Sequence, residues 1–291
     1  MGAPEILYHY CSTESFYKII SGKSIRLSAL SFSNDYLEGR LARLVIRSLS
    51  IEHGLDEYQK KSIEDLMDLF ENSFDSHGFC LSGNGDILSQ WRGYADDGNG
   101  VSIGFSSRYL ASLIKQHNPS RKGALSLSEV LYLNSDHKRV VKPIFDEVSK
   151  IVKDPDFDDR FFGGLLSIAP DQYILDRKNK ASEKRFRLLE AMTKLLPKMF
   201  TLKTSAFAEE SEWRLQESTV FREESVGDHS SSKNQLIPFH SLSLDSIDNA
   251  EPIVDLVLGP KHKTPHPNLK GFLEQHGFKN VVLRNSKASY R

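Results

Sequence analysis

Glu209-Glu210-Ser211-Glu212-Trp213-Arg214-Leu215 is the stretch on which the reading of this chain turns. It reads as the start of a β-strand. Strand side chains alternate between faces, so Glu210 and Glu212 are expected on one face and Trp213 and Leu215 on the inward one. Like charges side by side are costly in a sheet. Such a pair therefore marks either a solvated strand edge or a site that uses the acids.

Working outward, Ile6 to Cys11 alternates and is rich in aromatics, as a strand should be. Ser12-Thr13 offers N-cap oxygens to a helix with Phe16, Ile19 and Ile20 inward, ended at Gly22. Ser24 to Ser28 reads as a second strand, and Ser31-Phe32-Ser33-Asn34-Asp35 as the loop after it. This is an α/β beginning. Ile63, Leu66, Met67, Phe70 and Phe74 follow helical spacing, Gly78 to Ser82 reads as a buried strand, and Val101 to Phe105 as another. Gly104 inside that strand implies a close approach by ligand or backbone.

From about Asp136 to Met199 the pattern is mostly helical. It includes Val140 to Val152, an aromatic piece at Phe161-Phe162, and the stripe Phe186, Leu189, Met192, Leu196, Met199, with Pro197 kinking or ending the last helix. The block reads as a helical insertion, about residues 136–200, in a single domain spanning 1–291. Glu223 to Asn234 reads as a polar surface loop. Ile253 to Leu258 reads as a strand, Pro267 to His276 as a helix ended by Gly277, and Val281 to Leu283 as a last strand.

The 291 residues carry 38 basic and 39 acidic side chains, a formal net charge of −1. That balance gives no bulk field for nucleic acid or an anionic membrane, so any polyanion site must be local. Cys11 and Cys80 are the two cysteines and lack metal-ligand spacing. Without a leader-like start or a long apolar run, the expectation is a soluble, cytoplasmic protein. A P-loop, a His-Glu-x-x-His helix and a Gly-x-Ser-x-Gly elbow are absent from the sequence.

Several residue groups can carry chemistry. A carboxylate beside a ribose 2′-hydroxyl stabilises the oxocarbenium-like sugar formed when nicotinamide leaves; Glu212 is the candidate, with Glu210 orienting or deprotonating an acceptor. His9 is expected to donate to a ribose hydroxyl, with Tyr8 or Tyr10 stacking on a base, although a histidine among aromatics also serves as a plain packed residue. Ser33-Asn34-Asp35 with Glu38 can line a pocket mouth, or hold a divalent cation together with the two acids; a turn explains Asn34-Asp35 as well. Trp91, Arg92 and Tyr94 suit ring stacking and phosphate contact, or simply anchor a helix on the sheet. Lys261-His262-Lys263 can touch phosphate but fits a solvated loop.

Taken together, Leu7-Tyr8-His9-Tyr10-Cys11-Ser12, Ser31 to Asp35 with Glu38, Phe79-Cys80-Leu81-Ser82, Trp91 to Asp96 running to Gly100 and Phe105, Glu210 to Arg214, and Ser286 to Arg291 resemble the bacterial family called domain of unknown function 2971. The landmarks touch nearly the whole chain and occur in the family's order. That family is in turn similar, distantly, to ADP-ribosyltransferases. The resemblance implies an α+β fold with a split two-sheet core that binds NAD, plus the helical insertion.

It also implies His9 in the first-strand role and Glu212 as the catalytic glutamate, with Glu210 completing a Glu-x-Glu pair. Tyr10, Asn34, Trp91, Arg92 and Tyr94 would contact the nucleotide. There is no Ser-Thr-Ser on a middle strand, which leaves Ser82, Ser102 and Tyr94 as alternatives for that element. The implied activity consumes NAD as substrate, by ADP-ribosyl transfer to a macromolecular acceptor or by NAD hydrolysis, in a toxin-like or anti-phage effector. Two rival readings stand beside it: a nucleotide-sensing or protein-interaction module without turnover, and a magnesium-dependent nuclease using Asp35, Glu38, Glu210 and Glu212.

Overall fold

The computed structural model describes residues 2–33, 37, 39–117, 125–155, 157, 180–219, 228–232 and 234–290. Asn34, Asp35, Glu38 and Phe161-Phe162, all singled out in the sequence, lie outside these residues. The fold is α+β. In chain order its elements are β1 (Ile6–Cys11), α1 (Thr13–Gly22), β2 (Ser24–Ala29), α2 (Leu41–Glu52), α3 (Glu57–Ser73), β3 (Asp75–Ser82), α4 (Leu88–Tyr94), β4 (Val101–Ser106) and α5 (Ser107–His117). There follow β5 (Leu125–Glu129), α6 (Asn134–Val152), α7 (Lys180–Thr193), α8 (Leu196–Met199), β6 (Glu212–Thr219), β7 (Asp228–Ser232), β8 (Gln235–Ser243), β9 (Ile253–Leu258), α9 (His266–Gln275) and β10 (Val282–Asn285).

Local chemistry explains the boundaries. Ser12 caps α1 by accepting from the Ser15 amide, and Asp56 with Gln59 forms a reciprocal capping box on α3. Pro197 sits in the first turn of α8, where its missing N–H costs nothing, so it opens a short helix rather than kinking the one before.

The strands form one hydrogen-bonded sheet, ordered β10-β9-β4-β1-β3-β2-β8-β7, with β6 along β3 and β5 outside β6. Pairing is antiparallel except between β9 and β10. The two expected sheets are therefore joined, and the join is a fork. One edge of β3 runs beside β6 from Asp75↔Thr219 to Ser82↔Glu212. Its other edge is shared: Gly78 and His77 pair with β2, while Ser82 pairs with Tyr8 of β1. From β3 the sheet opens into two wings, β1-β4-β9-β10 and β2-β8-β7.

One face of the sheet carries a core made with α1, α5 and α9, including Leu7, Phe79, Leu81, Phe105 and Leu215. A second core joins α2 and α3 to α6 and α7, through Ile46, Phe70, Phe145 and Leu188. The helical layer thus draws on residues 41–73 as well as on the block after Asn134. Part of the stretch read as a polar loop is a strand: Asp228–Ser232 pairs with β8 from Asp228↔Phe239 to Ser232↔Gln235. Cross-strand hydrogen bonds outweigh its polar composition there, as an edge strand allows. No helix among the described residues is long and apolar enough to cross a membrane.

Candidate functional site

A cavity of about 210 Å³ opens at the fork, lined from β1, β3, α4, β6 and the segment before β6. Cross-strand partners share a face, so Ser82↔Glu212 and Cys80↔Arg214 put the acid, the guanidinium and the thiol on the side away from the first core. Cys80 is the exposed residue in an otherwise buried strand, and it is in no disulfide.

Glu212 and Glu210 both reach this cavity, but not by strand alternation. Glu210 ends a 3-10 turn, Ser205–Glu210, and Ser211 adopts left-handed backbone with φ 46° before β6 begins at Glu212. That turn aims both carboxylates at a residue the sequence reading overlooked, Lys203, whose Nζ lies 2.8 Å from Glu210 Oε2 and 2.7 Å from Glu212 Oε2. Arg214, 1% exposed, grips Glu212 with Nε at 2.7 Å and Nη2 at 3.1 Å, and its Nη1 donates to the Phe200 carbonyl at 2.6 Å. Burial pushes the Glu212 carboxyl up, yet Arg214 and Lys203 more than offset this and hold its pKa at about 2. Burial likewise works against the charge on Lys203, but Glu212 and Glu210 outweigh it and raise the ammonium above its ordinary value. Tyr94 Oη donates to Glu210 Oε1 at 3.0 Å, and the Glu212 amide donates to Tyr132 Oη at 2.8 Å.

His9 sits where the β1 and β3 ladders part. Its Nδ1 is 2.9 Å from the Cys80 carbonyl, and its ring stacks on Phe79 with centroids 4.1 Å apart. Enclosure lowers its pKa to about 4, so the imidazole is neutral near pH 7. A carbonyl accepts, so Nδ1 carries the proton and Nε2 keeps a lone pair. His9 therefore offers a ligand an acceptor, not the donor expected from the sequence. The imidazole also takes the place of a ladder hydrogen bond at the fork, which is a packing role.

Of the expected nucleotide contacts, Tyr10 and Tyr94 line the cavity and Trp91 and Arg92 do not. Tyr10 Oη is already committed, donating to the Asn84 carbonyl at 2.9 Å and accepting from the Ile87 amide at 2.8 Å. Trp91 is fully buried, edge-on to Tyr10 at 4.8 Å, with its indole N–H donating to Asp86 at 2.7 Å. The helical repeat explains the split: Gln90 and Tyr94, four apart on α4, face the cavity, while Trp91 and Arg92 are rotated away from it. Arg92 instead lies over the Tyr290 ring at 5.8 Å.

Gly104 makes a close approach, but to side chains: a Cβ there would stand 2.8 Å from Asp255 Cβ and 3.1 Å from the Tyr8 ring. Tyr8, a cavity wall, donates to Asp255 at 3.0 Å, and Arg284 pairs with the same carboxylate. Lys261 and His262 do not line the cavity. Lys261 pairs with Asp97 at 2.8 Å, and His262 Nδ1 lies 2.8 Å from the Asn99 carbonyl. Among the described residues no group of three or more histidine, cysteine, aspartate or glutamate side chains is arranged to hold a metal ion. Lys203 stands between the two carboxylates, where a shared divalent ion would have to sit.

Beside the two acids bridged by Lys203, the cavity thus offers an imidazole acceptor on His9 and a carboxamide on Gln90, with aromatic walls in Tyr94 and Phe207. Neither a curated protein nor a solved structure matches the chain. Residues 90–215, which run from Gln90 through Lys203, Glu210 and Glu212 to the strand β6, match the family described as protein of unknown function (DUF2971).

Proposed function

We propose that the protein consumes NAD, by ADP-ribosyl transfer or hydrolysis, at the cavity in the fork. The observation that carries this reading is that His9 and Glu212, remote in sequence and on different strands, line one hollow whose acid is held ionised. Cleavage of the nicotinamide–ribose bond returns the bond electrons to the ring nitrogen, and nicotinamide leaves neutral. The positive charge that develops on the sugar is stabilised by a fixed carboxylate, here Glu212. An acceptor then closes on the anomeric carbon and loses its proton, with Glu210 beside it. The fork in the sheet supports the likeness to the split core of ADP-ribosyltransferases. At about 210 Å³ the cavity is smaller than the roughly 300–1,000 Å³ of sites that enclose whole drug-sized ligands, so it suits a ring with its sugar, the rest of a dinucleotide lying outside.

The test is nicotinamide release from NAD by the purified chain. Release that disappears in Glu212→Gln, with that variant shown to be folded by circular dichroism, supports the proposal. Absence of release beside an active control enzyme removes it.

A second reading, a nucleotide-binding module without turnover, is favoured by one feature: Lys203 and Arg214 already neutralise Glu212. Calorimetric binding of NAD or ADP-ribose with no product formed distinguishes it from the first.

A further inference from the structure

We propose that Gln90 reads the edge of a planar heteroaromatic ring carrying a hydrogen-bond donor and acceptor side by side, the ring resting near Tyr94. The identity of that ring as part of a nucleotide rests on the function proposed above; the role of Gln90 does not.

Gln90 is 8% exposed and lines the cavity, and its side-chain carboxamide has no hydrogen-bond partner among the described residues. Other polar walls are engaged: Tyr8 with Asp255, Tyr10 with Asn84 and Ile87, Tyr94 with Glu210, and Lys203 and Arg214 with the acids. The amide atoms are not sealed inside the protein but reach the cavity, where the carboxamide is open to a ligand. A carboxamide presents one acceptor and one donor in a plane, so its complement is another amide-like edge. Tyr94, one turn along the same face of α4, keeps 43% of its surface exposed and supplies a ring face at right spacing for a ligand ring. Two parts of a dinucleotide have this chemistry: the carboxamide of nicotinamide, and the amino edge of adenine.

The experiment measures binding by calorimetry, with the full chain and with Gln90→Leu, using four probes: nicotinamide mononucleotide, its nicotinic acid counterpart, AMP and IMP. The expected result is that wild type prefers nicotinamide mononucleotide over its nicotinic acid counterpart, or AMP over IMP, by at least about tenfold, and that Gln90→Leu loses that preference. Discrimination within the nicotinamide pair assigns the nicotinamide end, and discrimination between AMP and IMP assigns the adenine end. The unliganded Gln90→Leu protein should melt at or above the wild-type temperature, because the amide it removes bonds to nothing.

Equal affinities in wild type and variant, no binding of any probe to wild type, or a clear fall in the melting temperature of the unliganded variant each overturns the proposal. Nicotinamide release that is unchanged in Gln90→Leu would sink the role of Gln90 and leave NAD consumption standing. Gln90-dependent binding without release would do the reverse.

Discussion

The ammonium of Lys203 lies 2.7 Å from the carboxylate of Glu212, which Arg214 grips from the same strand. The acid is therefore held by two cations in a place where all three side chains are nearly excluded from solvent. Charges in such a setting are stable as a set and costly when one is missing, because the remaining groups stay buried without compensation.

Lys203→Met is accordingly expected to destabilise the fold by about 3 kcal/mol or more, the range for breaking a buried pair. Urea denaturation checks it through the midpoint at constant slope. A loss below about 1 kcal/mol would mean that water reaches the group and screens it.

Acid should weaken the protein in two stages. His9 has its folded pKa lowered from 6.5 to about 4, and Glu212 from 4.5 to about 2. In both cases the unfolded chain takes up the proton first as pH falls, so the stabilisation is complete above the unfolded value and drains away toward the folded one. Stability should thus decline from near pH 6.5 to 4 through His9, and from near pH 4.5 to 2 through Glu212. Urea titrations across this range measure it. His9→Asn should shrink the upper stage, to which His77 also contributes because burial lowers its pKa, and leave the lower one.

The two roles of His9 can be separated by choice of substitution. An asparagine amide can take the place of Nδ1 and donate to the Cys80 carbonyl, whereas phenylalanine leaves that carbonyl unbonded. His9→Phe should cost about 1–3 kcal/mol and His9→Asn less. Both remove Nε2, so both should weaken ligand binding. If His9→Asn binds NAD as wild type does, the imidazole serves only the fork.

Gly85 and Gly93 make a matched pair of probes. A Cβ on Gly85 would stand 2.5 Å from the Tyr8 ring, whose hydroxyl is tied to Asp255, while one on Gly93 meets nothing within 4 Å. Gly85→Ala should displace the cavity wall, destabilise by roughly 1–3 kcal/mol and weaken binding. Gly93→Ala, inside α4, should be neutral or stabilising by about 0.5–1 kcal/mol. Thermal melts with and without NAD report both.

Magnesium should leave the melting temperature unchanged, because Lys203 fills the space between Glu210 and Glu212. A clear rise on adding magnesium, reversed by a chelator, would revive the nuclease reading.

Much of this architecture was legible in the amino-acid order. Alternation and capping marked β1, α1, β2 and α3, and Gly277, at φ 92°, ends α9 where a left-handed residue was expected. The helix α2 went unread, as did α5, although both have a clear apolar stripe, Leu41, Ala42, Ile46 and Leu49 in α2 and Tyr109, Leu110 and Leu113 in α5. The strand β7 was not legible, because serines and a histidine become a strand only when β8 lies beside them. In the site, Glu210, Glu212, His9, Tyr10 and Tyr94 were named from residue type and spacing. Lys203 and Gln90 carried no signal of their own, and Trp91 and Arg92 were assigned to the cavity although α4 turns them from it.

Sequence alone determined the α+β character and elements such as β1, α1, β2 and α3, since periodicity, caps and turn residues act over a few neighbouring positions. Tertiary structure decided the fork at β3, the neutral acceptor state of His9, and the capture of both acids by Lys203. Those depend on which remote groups share a buried volume, where a missing hydrogen bond or an unpaired charge costs far more than it would in water.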